Sequence, residues 1–69
     1  MKVFEVGLNE GNYSDGIALV AAKNADNAVK ILNLDDRNKV YTWLYPSEII
    51  GMTYKTKEEQ VITFSAYVE

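Results

Sequence analysis

The sequence predicts an α+β fold: an antiparallel or mixed sheet of four to five strands with one amphipathic helix on one face, in the order ββαββ(β). Three observations predict it. Apolar residues alternate with other residues near both ends of the chain, at 2–8 and 60–68. An apolar run occupies 17–22, and residues 25–32 change to helical periodicity. With 69 residues, the chain is expected to form a single domain, 1–69.

The first two strands are predicted at 2–8 and 17–22. In the first strand Phe4, Val6 and Leu8 share one face. The continuous apolar run 17–22 is typical of a strand buried on both faces, or nearly so. Residues 9–16 contain two glycines together with Asn, Ser and Asp, which favour turns, and therefore predict a long hairpin loop.

A short helix is predicted over 25–32. Asn24 is suited to be its N-cap, and Asp26 places a negative charge in the first turn, where the helix dipole favours it. Asn33 is expected to end the helix as a left-handed cap. The apolar stripe that would face the sheet recurs at i, i+3, i+4 and i+7 and consists of Ala25, Ala28, Val29 and Leu32.

Residues 40–45 allow two interpretations. As a strand they place Tyr41, Trp43 and Tyr45 on one face, and as a helix capped by Asp35 they would bring Val40, Trp43 and Leu44 together. Aromatic and β-branched residues favour the strand. Pro46 is expected to end either element.

The remaining segments predict two more strands. Residues 48–54 form a strand with a bulge expected at Gly51, residues 55–59 a charged turn, and residues 60–68 the closing strand. In the closing strand Ile62 and Phe64 are expected on the apolar face. The predicted core consists of Phe4, Val6, Leu8, Leu19, Val29, Leu32, Ile62 and Phe64.

Composition bears on several classes of function. The chain contains neither Cys nor His, so disulfides and Cys/His zinc sites are excluded, and we expect no cofactor, no metal and no catalysis. The net charge of −3 and the absence of basic clusters argue against nucleic-acid binding. No apolar run is long enough for a signal peptide or a membrane helix, so we expect no membrane association and a cytoplasmic location.

Three weaker site patterns have simpler structural interpretations. Glu10 and Asp15 are a conceivable carboxylate pair for catalysis, but solvated loop residues explain them better. The oxygen-rich residues Asn9, Glu10, Asn12, Ser14 and Asp15 do not have the spacing of a calcium loop. Two groups combine aromatic with basic residues but lie beside acidic ones: Tyr54 with Lys55 and Lys57, and Arg37 and Lys39 with Tyr41 and Trp43.

The aromatic residues of the second half give the functional hypothesis. A single short helix covers one sheet face, so aromatic side chains on the other face would be exposed or covered by another chain. The alternative is that they pack within the monomer.

We therefore predict a non-enzymatic interaction protein that binds another protein, or a second copy of itself as a homodimer. Small inhibitors or adaptors, such as those encoded by phage and mobile elements, are of this kind. The alternative function is a nucleic-acid-associated module. The predicted protein-binding residues are Tyr41, Trp43, Tyr45 and Tyr67.

Overall fold

The computed structural model describes residues 1–9, 12–35 and 42–66, and these form an antiparallel sheet with one helix packed on it. The elements in chain order are β1 (Lys2–Asn9), β2 (Asn12–Ala22), α1 (Ala25–Leu34), β3 (Tyr45–Thr53) and β4 (Gln60–Ala66). Within the described residues the four strands lie in the order β3-β1-β2-β4. The predicted α+β class, with its ββαββ order, is confirmed.

β1 and β2 pair from Lys2 opposite Ala22 to Gly7 opposite Ile17, and again at Asn9 opposite Asn12. The predicted loop over 9–16 is therefore wrong for residues 12–16, which belong to β2, and for Asn9, which ends β1. Strand pairing overrides their turn-forming composition: Asn12 pairs with Asn9 of β1, and Gly16 pairs with Ala66 of β4. A register shift between Gly7 and Asn9 accommodates the irregular backbone there.

α1 begins as its sequence predicts. The Asn24 Oδ1 atom accepts a hydrogen bond from the Asn27 main-chain N–H at 2.8 Å, and Asp26 lies in the first turn. The helix ends one residue beyond Asn33, so the expected left-handed cap at Asn33 is wrong: among the described residues only Gly51 has positive φ. Asn33 stays helical, and its side chain binds the segment that precedes β3.

The core lies between α1 and one face of the sheet. Phe4, Val6 and Leu32 are buried there as predicted, and Leu8, Val29 and Phe64 pack against it partly buried. The fully buried cluster consists of Phe4, Val6, Ala18, Val20, Ala22, Ala28, Leu32 and Trp43.

Two predicted core residues are misplaced. Leu19 pairs with Glu5, which alternates with the buried Phe4 and Val6, so Leu19 lies on the sheet face opposite α1 and is partly exposed. In β4 a register shift pairs Val61 with Val20, and Val61 rather than Ile62 packs against the core. A one-residue shift exchanges the faces of a strand, so the alternation of residues 60–68 could not reveal it.

Residues 42–44 belong to neither a strand nor a helix, so both interpretations of 40–45 are wrong over this stretch; residues 40 and 41 lie outside the described residues. The Asn33 side chain forms the main-chain hydrogen bonds with Trp43 that a neighbouring strand would otherwise form. Its Nδ2 group donates to the Trp43 carbonyl at 2.9 Å, and its Oδ1 atom accepts from the Trp43 N–H at 2.8 Å. Because a side chain satisfies both main-chain groups, Trp43 needs no sheet ladder and turns into the core.

β3 is an interrupted edge strand. Pro46 lies inside it rather than ending it, which an edge position tolerates because one side of the strand forms no ladder. The irregularity expected at Gly51 is present: Gly51 has a φ of 82°, and residues 49–52 lie between the paired residues Glu48 and Thr53 while β1 advances only from Phe4 to Lys2.

Candidate functional site: the open face of the sheet

The sheet face opposite α1 is the candidate interaction surface. Strand register arranges its side chains in rows that run across the strands. One row consists of Tyr45, Gly7, Ile17 and Ser65, and the next of Ser47, Glu5, Leu19 and Thr63. Because Gly7 has no side chain, the first row presents Tyr45 and Ile17 on either side of a gap.

The exposed part of this face lies at the Tyr45 end. A third row contains Val3 opposite Ala21, and both are buried. In the first two rows Ile17, Leu19 and Tyr45 remain partly exposed, although the solvent face of an antiparallel sheet is usually polar. We call these three residues together with Glu5, and the bordering Ser47, Thr63 and Ser65, the open-face patch.

A depression of about 170 Å³ lies within this patch, between β2 and β4. Its walls include Ile17 and Leu19 on one strand and the hydroxyl-bearing Thr63 and Ser65 on the other. The lining is mainly hydrocarbon, so the depression could accept an apolar side chain of a partner. The hydroxyl groups of Thr63 and Ser65 at its wall can form hydrogen bonds with that partner.

The structure separates the predicted binding residues. Tyr45 lies on the open face as expected, partly exposed. Trp43 does not: it is fully buried in the core, with its ring edge-to-face against Phe64 at a centroid distance of 6.2 Å, so the expectation that it lies on the exposed face is wrong. Tyr41 and Tyr67 lie outside the described residues. Ile17 and Leu19 were missed, because every residue of the run 17–22 is apolar and alternation gives no face.

A second group of exposed apolar side chains follows the β3 edge. Leu44 precedes β3, Ile50 and Met52 lie in its interruption, and Tyr54 follows it. Ile50 is 83% exposed, the largest value among the exposed large hydrophobic residues of the described segments. Gly51 in an apolar strand was the sequence signal for this protruding segment.

Glu59 connects the start of β4 to the start of α1. Its Oε2 atom accepts hydrogen bonds from the Lys23 main-chain N–H at 2.9 Å and from Asn27 Nδ2 at 3.0 Å. The Lys23 bond is the main cause that lowers the pKa of the Glu59 carboxyl, and the Asn27 bond and the Lys23 charge act in the same direction. A groove of about 320 Å³ beside it is lined by Asn27, Lys30, Ile31, Leu34 and Glu59.

This contact predicts a specific pH dependence. Because the folded-state pKa of Glu59 lies below the usual glutamate value of 4.5, its carboxylate stabilises the fold above that value, and the contribution is lost as pH falls through the folded-state pKa. As the pH falls from 4.5 through the folded-state pKa of Glu59, we expect the melting temperature of Glu59→Gln to decrease less than that of wild type. Thermal melts across pH measure it, with Glu58→Gln as the control. Parallel decline of wild type and Glu59→Gln would contradict the expectation.

The structure describes only part of the residues in the carboxylate pair, the oxygen-rich segment and the aromatic-basic groups. Asn12, Ser14 and Asp15 belong to β2 rather than to a loop, whereas Glu10, Arg37 and Lys39 lie outside the described residues. Of the aromatic residues proposed to stack on nucleic acid, Trp43 is inaccessible, whereas Tyr54, Lys55 and Lys57 are exposed after β3.

Two broader findings complete the description of the chain. Over residues 1–9, 12–35 and 42–66, no helix is long and apolar enough to cross a membrane. No protein-family model, curated protein or solved structure matches the sequence.

Proposed function

We propose that the protein is a non-enzymatic protein-interaction module, an inhibitor or adaptor, that binds a partner protein through the open-face patch. The observation that carries this proposal is the partial exposure of Ile17, Leu19 and Tyr45 in adjacent rows of a sheet face that α1 does not cover. Apolar side chains grouped on an uncovered surface typically mark an interaction site.

The shape of the patch favours a protein over a small molecule as the ligand. The depression of about 170 Å³ is smaller than typical small-molecule pockets, which measure about 300–1,000 Å³. Protein interfaces, by contrast, combine an apolar centre with a polar rim. In the patch the apolar Ile17, Leu19 and Tyr45 lie around Glu5 and are bordered by the hydroxyl groups of Ser47, Thr63 and Ser65.

The test compares partner recovery by matched variants. Leu19→Lys places a charge in the open-face patch, and Leu34→Lys places the same charge on an exposed position of α1. We expect a protein captured from the native host by wild type and by Leu34→Lys to be lost with Leu19→Lys, because an unpaired charge at an apolar interface is costly to desolvate. Circular dichroism and thermal melts are used to check that both variants fold.

Recovery of the same partner by Leu19→Lys and by wild type would place the binding surface elsewhere. The exposed β3 segment would then be the next region to test, with Ile50→Lys, because Ile50 is exposed and lies outside the patch.

A further inference from the structure

The open-face patch has a carboxylate near its centre. Glu5 lies on β1, one of the two inner strands, between Ser47 of β3 and Leu19 of β2. It is partly buried, and it forms no ion pair with any other described residue; the ion pair nearby joins Lys2 to Glu48 at 3.7 Å. Lys2 alternates with Val3 and so lies on the α1 side of β1, away from Glu5.

A protein that covers the patch must remove water from this carboxylate. Burying an ionised carboxylate without a compensating partner is strongly unfavourable, whereas a paired and hydrogen-bonded one is tolerated. In its row Glu5 has Ser47 on one side and Leu19 on the other, with Thr63 beyond Leu19, and none of these side chains carries a charge that could neutralise the carboxylate. No described residue supplies a compensating positive charge to Glu5, and we infer that the partner supplies it.

The same carboxylate argues against a second copy of this chain as the occupant. Most homodimer interfaces follow a two-fold axis, so each patch would meet an identical one. A two-fold axis through the patch would bring the two Glu5 carboxylates close together in a desolvated interface, where like charges repel. The overall charge of −3 also disfavours self-association and favours a basic partner.

We propose, building on the function proposed above, that the open-face patch binds a different protein that presents an arginine or lysine to Glu5 between apolar side chains. The apolar side chains contact Ile17, Leu19 and Tyr45, and the cation pairs with the carboxylate. Arginine fits best, because its planar guanidinium is weakly hydrated and can form two parallel hydrogen bonds to a carboxylate.

The test uses a displayed library of random peptides, selected on the folded 69-residue chain. Peptides selected by wild type are expected to contain Arg or Lys beside apolar residues, and to bind Leu19→Lys at least tenfold more weakly. Glu5→Gln should bind these peptides about tenfold more weakly or worse than wild type. Selection on Glu5→Lys should yield peptides that contain acidic residues instead. Glu58→Gln is the matched control, because Glu58 lies outside the patch on the β3–β4 connection, and it should leave affinity unchanged.

The outcomes separate this inference from the function on which it rests. Peptides that need Leu19 but contain no basic residue and bind Glu5→Gln as well as wild type would overturn the inference and leave the proposed surface intact. The absence of any Leu19-dependent peptide would overturn both. Sedimentation showing a wild-type dimer that Leu19→Lys dissociates would make the occupant a second copy and overturn the inference.

Discussion

Trp43→Ala is expected to lower the free energy of unfolding by about 3–5 kcal/mol, the usual range for replacing a buried large aromatic side chain. Trp43 is fully buried within the cluster between α1 and the sheet, and its ring meets Phe64 edge-to-face. A cavity at this point would also remove support from the main chain that Asn33 binds. Urea unfolding followed by circular dichroism measures the loss.

The adjacent residue supplies the control. Leu44 is 56% exposed, so Leu44→Ala is expected to change the free energy of unfolding by no more than about 0.5 kcal/mol. Similar stability of Trp43→Ala and Leu44→Ala would mean that Trp43 is accessible, and its role as a binding residue would then have to be reconsidered. If Trp43→Ala fails to fold at all, Trp43→Phe should retain a measurable part of the stability.

Leu32→Ala is expected to cost about 2–5 kcal/mol, as deletions of buried leucine side chains usually do. Leu32 has no exposed surface and lies in the cluster with Phe4 and Val6. Most of the stability of a helix this short comes from packing, so losing the central contact should release α1 from the sheet. Helical circular dichroism should disappear together with the tertiary signal as the variant unfolds.

Leu34 provides the comparison within the same helix. It lies two residues beyond Leu32, ends α1 and is 72% exposed. Leu34→Ala should therefore stay within about 0.5 kcal/mol of wild type, and alanine slightly favours the helix at such a position. Equal losses at the two leucines would show that α1 is rotated relative to the sheet.

These stability differences also protect the binding experiments from misinterpretation. Total stabilities of small domains are about 5–15 kcal/mol, so a core substitution can abolish binding merely by unfolding the chain. A binding variant at Trp43 would be uninformative for that reason. Variants at Leu19 and Glu5 are better probes, since both side chains lie on the uncovered face and are partly exposed.

The candidate site was only partly predictable. Tyr45 was recognised because it stands out as an aromatic residue beside a strand, and it does lie on the open face. Ile17 and Leu19 were not recognised, because an all-apolar strand has no polar residues to indicate its exposed face. Glu5 was visible as a polar residue in β1, but its central position depends on β3 pairing beside it.

The sequence by itself determined α1 and most of each strand, although not the strand at residues 12–16 or the irregular residues 42–44. It could do so because periodicity and capping are local: Asn24 caps α1, and the apolar stripe of α1 requires a sheet to cover it. Only the tertiary structure decided which side chains of β2 and β4 face the core and where Trp43 lies. Register places Leu19 outside and Val61 inside, and the Asn33 amide turns Trp43 away from any strand. These outcomes depend on contacts between residues distant in sequence, and a shift of one residue along a strand reverses every face.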